Sequence, residues 1–205
     1  AGESGRWTAL AAASRFTGNE ASTSNNGGGG AIYLLNVASA RISDSLFWDN
    51  TAVHLGGAVL SEGSTLELIS STVARNSGSG KGPGSGVYQR GSGTRTIYSS
   101  ILWMNGNGVG GHGLYMEAGS LDMRYTNTQD GTAGEGNRSL DPSFKWLDMG
   151  DLRLNPGSIC IDSGGANVSS LDLDRQPRVD DPLALDRCED GVSPCPDMGA
   201  LEYQP

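Results

Sequence analysis

The stretch Phe47-Trp-Asp-Asn50-Thr-Ala-Val-His-Leu-Gly-Gly57-Ala58 holds two landmarks that recur along the chain. An apolar segment ends on an asparagine, and a glycine-rich turn then leads into a small or apolar residue. The asparagines are Asn19, Asn50, Asn76 and Asn105, at spacings of 31, 26 and 29. The glycine landmarks are Gly30-Ala31, Gly57-Ala58, Gly86-Val87 and Gly113-Leu114, at spacings of 27, 29 and 27. Two independent features therefore share a period of about 28 residues, the mark of a repeat architecture. The apolar runs between them, such as Ile42–Phe47, Leu66–Val73 and Ile97–Trp103, are too short and too often broken by glycine for helices. Short strands separated by Gly, Ser and Asn predict an all-β chain, a right-handed parallel β-helix of about five coils.

One coil of this length cannot bury its own inner face, but stacked coils share a continuous core. Equivalent positions then lie on like neighbours about 4.8 Å apart. Asn19, Asn50, Asn76 and Asn105 are expected to form an amide ladder at one turn, with the glycines supplying positive φ at the next. Ile42, Leu68 and Ile97 are expected to stack inside, as are Phe16, Phe47, Val73 and Leu102. An outward column is read as Arg41, Glu67, Arg95 and Asp122, with alternating signs that favour the register. The repeat occupies residues 1–127. Residues 128–205 are richer in Asp and Pro and are read as an extension that finishes and covers the same domain.

Composition supports an ordered chain. Glycine accounts for 32 of 205 residues without a collagen period, 36% of residues are hydrophobic and 18% are charged. The net charge of −9 and a pI near 4.6 argue against a nucleic-acid partner. No apolar run has the length of a membrane helix, so membrane insertion is not expected. The chain opens at Ala1 rather than methionine, which predicts a removed leader or a longer precursor. Of three cysteines, Cys188 and Cys195 lie in a loop short enough for a disulfide, whereas Cys160 sits in an apolar run as a core thiol. Zinc at Cys188 and Cys195 lacks further ligands at finger spacing. An acidic chain with one disulfide fits a secreted or cell-surface location.

The FxxN and GGA pattern around Phe47 resembles polymorphic outer-membrane protein-type β-helices. The ending adds Asp141-Pro-Ser-Phe144, Gly150-Asp-Leu-Arg-Leu154, Pro156-Gly-Ser-Ile-Cys-Ile-Asp162-Ser-Gly164, Asp172-Leu-Asp174 with Arg178, and Pro196-Asp197-Met-Gly-Ala-Leu-Glu202-Tyr. It is similar to the ending of bacterial choice-of-anchor Q proteins. The resemblance covers nearly the whole chain. It implies a secreted or surface-displayed bacterial β-helix and carries no activity of its own.

Candidate chemistry is sparse. Gly108-Val-Gly-Gly-His-Gly113 matches G-x-G-x-x-G, but a strand follows where a dinucleotide site needs a helix. Asp172, Asp174 and Asp197, within an Asp-rich tail, are candidate Ca²⁺ ligands. An EF-hand count from Asp172 meets Pro177 and Leu183 where Gly and Glu are needed, and capping of turns with pairing to Arg175 or Arg178 is the competing reading. Trp48 and Trp103 each precede a ladder asparagine by two residues, with Ala74 between them. They form a candidate sugar-stacking slot unless the extension packs over them. Asp44, Glu62, Glu67, Glu117 and Asp122 do not converge in one column, and His54 and His112 fall at different offsets, which weighs against a polysaccharide lyase or hydrolase. The sequence therefore favours a non-catalytic extracellular scaffold, adhesive, surface-layer or filament-forming, over a carbohydrate-active enzyme or a carbohydrate-binding module. Its expected partners are a further copy of itself, head to tail, or a surface glycan.

Overall fold

A computed structural model describes residues 8–22, 28–78, 86–106, 113–166, 168–189 and 191–205. Trp7, Lys81, His112 and Asp190 lie outside these residues. The first coil carries β1 (Thr8–Ala12), β2 (Arg15–Thr17) and β3 (Glu20–Ala21). The second carries β4 (Ile32–Leu35), β5 (Ser39–Ser43), β6 (Leu46–Trp48) and β7 (Thr51–Ala52), and the third β8 (Val59–Glu62), β9 (Leu66–Ile69), β10 (Thr72–Ala74) and β11 (Ser77–Gly78). Then come β12 (Val87–Arg90), β13 (Thr94–Tyr98) and β14 (Ile101–Trp103), followed by β15 (Leu114–Met116), β16 (Ser120–Arg124) and β17 (Asn127–Thr128). These strands form four parallel stacks: β1-β5-β9-β13-β16, β2-β6-β10-β14-β17, β3-β7-β11 and β4-β8-β12-β15. The chain is a parallel β-helix of four full turns and part of a fifth, close to the five coils expected.

Alternation within each strand fills the lumen. Ile42, Leu68, Ile97 and Met123 align in one stack, and Phe16, Phe47, Val73 and Leu102 in the next. The Phe16 and Phe47 rings stack 4.7 Å apart and 6° from parallel. One position differs from expectation. The outward column runs Arg41, Glu67, Thr96, Asp122, and Arg95 falls on the lumen column with Ala40, Leu66 and Leu121. Arg95 is fully buried. Its Nη1 donates to the Thr94 carbonyl, while Nε and Nη2 have no partner among the described residues. Loss of hydration lowers its pKa to about 10.

The glycine-rich turns supply the expected positive φ at Gly29 and Gly56, with φ of 70° and 62°, and their next glycines serve a second purpose. A Cβ at Gly30 would lie 2.2 Å from the Gly57 carbonyl oxygen, and one at Gly86 would lie 2.4 Å from that of Gly113. Close approach of stacked backbones, not positive φ, requires glycine at both. Other left-handed corners use non-glycine residues, Asp44, Ser70 and Ser99, and then Asp49, Arg75 and Met104.

The extension has two parts. Residues around Glu135–Arg138 continue the stack under the last coil: Tyr125 N–H donates to the Glu135 carbonyl and Arg138 N–H to that of Thr126. The rest lies along the flank. It includes the antiparallel pair β18 (Phe144–Trp146) and β19 (Asp151–Leu154), joined by a single 3₁₀ turn over Leu147–Met149. Leu154, Cys160, Ile161 and Met198 pack on Ile69, Tyr98, Ile101 and Tyr125, and Leu152, Leu173, Ala200 and Leu201 on Leu46 and Ala74.

Candidate functional site

The asparagine row is hydrogen-bonded from coil to coil. The backbone N–H of Asn19 donates to Asn50 Oδ1 at 3.0 Å, that of Asn50 to Asn76 Oδ1 at 3.0 Å, and that of Asn76 to Asn105 Oδ1 at 3.1 Å. Each Nδ2 follows its own backbone to the same oxygen. It also reaches back: Asn76 Nδ2 donates to the Phe47 carbonyl and Asn105 Nδ2 to that of Val73. Asn50, Asn76 and Asn105 are buried, whereas Asn19, in the first coil, is exposed. A second ladder at the neighbouring corner escaped sequence reasoning. Ser14 N–H donates to Ser45 Oγ, Ser45 N–H to Ser71 Oγ, and Ser71 N–H to Ser100 Oγ, at 3.1–3.2 Å.

The exposed charges also pair across coils. Arg41 meets Glu67 at 2.9 Å. The five coil carboxylates do not converge in one column, but Glu62 and Glu117 share one. Arg90 lies between them, 3.7 Å from Glu62 and 3.8 Å from Glu117, and Tyr33 and Tyr88 donate their hydroxyls to the same two carboxylates. Asp122 is held by Arg124.

The tryptophan slot does not form. Trp48 Nε1 donates to the Leu147 carbonyl at 2.9 Å, and its ring lies against Gly150. Trp103 packs with the buried cluster of Ile101, Leu154 and Ile161. The extension covers both indoles, since leaving two large rings in water would forfeit apolar burial.

The three candidate calcium ligands do not converge either. Asp172 caps a turn, accepting from the N–H groups of Gln176 and Glu202 at 2.8 and 3.0 Å. Asp197 accepts from those of Asp162 and Tyr203 at 2.9 and 2.6 Å. Asp174 sits on the surface with Arg15. Among the described residues no group of three His, Cys, Asp or Glu side chains is placed to hold a metal ion. Cys188 and Cys195 are joined as a disulfide with Cα atoms 5.7 Å apart, and Cys160 is a buried free thiol pushed up to about 12 by burial.

What the extension does bring together is a buried carboxylate cluster around one guanidinium. Arg178 donates to Glu202 at 2.7 Å and to Asp44 at 3.2 Å, with side chains no more than 8% exposed. Its partners are therefore neither Asp172 nor Asp197. Glu202 also accepts from the N–H groups of Val179 and Asp197, and Asp162 from that of Asp181. Burial raises Glu202 to about 7 against the opposing pull of Arg178, and raises Asp162 to about 6. Asp44 and Asp197 are raised by the same cause. The Asp44–Arg178 pair spans 134 positions and fastens the extension to the second coil.

No protein-family model, curated protein or solved structure matches the chain.

Proposed function

We propose that this chain is a non-catalytic scaffold of the bacterial cell surface or extracellular space, built for display or assembly rather than turnover. The observation that carries the reading is where the coil charges go: Arg41 pairs with Glu67, and Arg90 with Glu62 and Glu117, so these ionic groups face partners on neighbouring coils. The likeness to choice-of-anchor Q endings and the Cys188–Cys195 disulfide support the location. Strand stacks of this kind pair with any further coil laid on them, so head-to-tail contact between copies of the chain would be heterologous and would form a filament unless it closes. Electron microscopy and light scattering test this directly: particles or filaments of stacked coils are expected, and a monodisperse monomer at high concentration removes the assembly reading.

A second reading has its own observation. Glu62 and Glu117 flank Arg90 on one exposed face beside two tyrosines, and glycoside cleavage uses paired carboxylates. Incubation with pectin, alginate and related acidic glycans is expected to give no depolymerisation. Turnover that disappears in Glu117→Gln would replace the scaffold with a carbohydrate-active enzyme.

A further inference from the structure

The extension leaves one indole in water. Of the described tryptophans Trp146 alone is exposed, at 66%, whereas Trp48 and Trp103 are covered. Phe144 and Leu154 pair across the hairpin and pack on the core, but the register shifts before Trp146, which stands opposite Asp151. Directly opposed side chains share a face of an antiparallel pair, so the shift turns the indole to the outer face of the hairpin. Arg153 lies on that face too, bonded to both oxygens of Asp151.

Arg153 and Asp174 border two cavities, of about 300 and 280 Å³, which therefore adjoin as one groove beside the hairpin. These volumes lie at the lower end of small-molecule sites. The first cavity is lined further by Lys145, Gln176 and Gln204, and the second by Arg15 and Asp151. The lining holds hydrogen-bonding groups that are not used up. Arg153 gives Nε and Nη2 to Asp151, which leaves Nη1 free among the described residues. Gln176 and Gln204 donate to the Asp174 and Pro177 carbonyls, and their side-chain oxygens accept no hydrogen bond among the described residues.

Charge selects what these groups can meet. Arg15 pairs with Asp174, and Arg153 with Asp151. The buried acids of the lining, Asp172 and Glu202, are occupied by backbone N–H groups and by Arg178. Lys145 alone is left, in the same lining as those two acids, so neither sign prevails. Donors and acceptors in balance, beside an exposed aromatic face, suit a ring with hydroxyls at its edge and C–H groups on its face. We propose that this groove binds a neutral glycan. One pyranose stacks on Trp146, and hydroxyls of the chain meet Arg153, Lys145 and the Gln176 and Gln204 amides. The inference does not rest on the scaffold reading, because binding here requires no assembly.

The neutral probes are cellotriose, maltotriose and mannotriose, and the charged comparisons are tri-galacturonic acid and a glucosamine trimer. Each is titrated into the isotope-labelled chain while the Trp146 indole N–H and the Gln176 and Gln204 side-chain amide resonances are followed. At least one neutral trimer is expected to move all three saturably. Both charged trimers are expected to bind at least about tenfold more weakly than it, a difference of about 1.4 kcal/mol. Trp146→Ala removes an exposed ring, so the unfolding midpoint should hold while binding, read at the two amides, weakens by about tenfold. No saturable shift with any neutral trimer overturns the proposal. So does a charged trimer that binds as tightly as the best neutral one, or an affinity unchanged in Trp146→Ala. Should that variant fail to fold, the comparison of neutral and charged trimers on the unmodified chain decides alone, with the Trp146 indole required among the responding groups.

Discussion

The coils and the extension hold themselves together by opposite means. In the coils like lies on like: Asn50 on Asn76, Ser45 on Ser71, and Phe16 on Phe47. Each position needs only a compatible neighbour one coil away, so stability accumulates along one axis. The extension has no period. Its backbone N–H groups are collected by single buried carboxylates, Asp172, Asp197, Asp162 and Glu202, and Arg178 pairs with Glu202 and Asp44 out of water. Damage to a coil is thus shared by similar neighbours, whereas damage to the extension falls on one unrepeated cluster.

The contrast is broken most severely at Arg178. Arg178→Met leaves Asp44 and Glu202 buried without their counter-charge, and removing one partner of a buried ion pair costs about 3–5 kcal/mol. The expected outcome is an extension that detaches while the coils persist. Limited proteolysis should release fragments from residues 129–205 and leave a resistant core over the coils. Simultaneous loss of both regions would show that the coils depend on the flank.

Acidity should separate the regions as well. Glu202, Asp162, Asp197 and Asp44 all have folded-state pKa values above their ordinary ones, through burial. Their contribution is therefore fully present below the ordinary carboxylate range and is lost as pH rises through about 6 to 7. Glu189 and Asp151, lowered by hydrogen bonds from Tyr98 and Arg153 respectively, act in the opposite sense only in more acidic solution. The extension is expected to resist protease better at pH 5 than at pH 8, with coil stability nearly level. Better protection at pH 8 would mean that the Arg178 ion pairs outweigh desolvation.

Within the coils, Asn76→Ala removes donors to the Phe47 and Ala74 carbonyls and to Asn105, and the acceptor for two groups of Asn50. The lost buried bonds correspond to about 1–3 kcal/mol. Denaturant unfolding should show that loss for Asn76→Ala and a smaller one for Asn19→Ala, whose side chain is exposed. Equal effects at the two sites would mean that burial does not set the strength of the ladder.

How far each region was legible follows from the same difference. A residue that repeats announces itself, so the rows of Asn19 to Asn105 and Phe16 to Leu102 stand out in the bare sequence. The serine row Ser14, Ser45, Ser71, Ser100 has the same spacings as the asparagines, 31, 26 and 29, and was as readable; serine is simply common in turns. The column Glu62, Arg90, Glu117 also keeps the period, at 28 and 27. Arg95 was misplaced by one position, and a one-residue slip in a strand exchanges the outside for the lumen. Arg178 and Asp44 could not be paired from sequence, because no period links positions so far apart.

That slip makes Arg95 a test of its own. Its guanidinium lies in the lumen column of Ala40, Leu66 and Leu121, with two nitrogens unpartnered among the described residues. Replacing a buried charge by a well-packed apolar side chain is often neutral or stabilising, by about 1–4 kcal/mol. Arg95→Leu is expected to raise the unfolding midpoint, where truncation of the Asn76 ladder lowers it. A large loss of stability would show that the guanidinium makes contacts within the lumen worth more than its desolvation costs.

The smallest effect belongs to the outer charges. Arg41 and Glu67 are 46% and 39% exposed at their side chains, so water and salt already screen the pair. Exposed ion pairs contribute about 0–1 kcal/mol. Arg41→Ala should shift the unfolding midpoint by no more than that, and less still in concentrated salt. Its value lies in the comparison with Arg178, because both are arginines that bridge to an acid on another part of the chain. If register in the coils depends on the outer charges rather than on the Asn and Ser ladders, Arg41→Ala will cost as much as Asn76→Ala and will show strong salt dependence. The geometry leads to the other result. The ladders fix both backbone and side chain at each corner, and the outer pairs only add sign preference to a register already set from within.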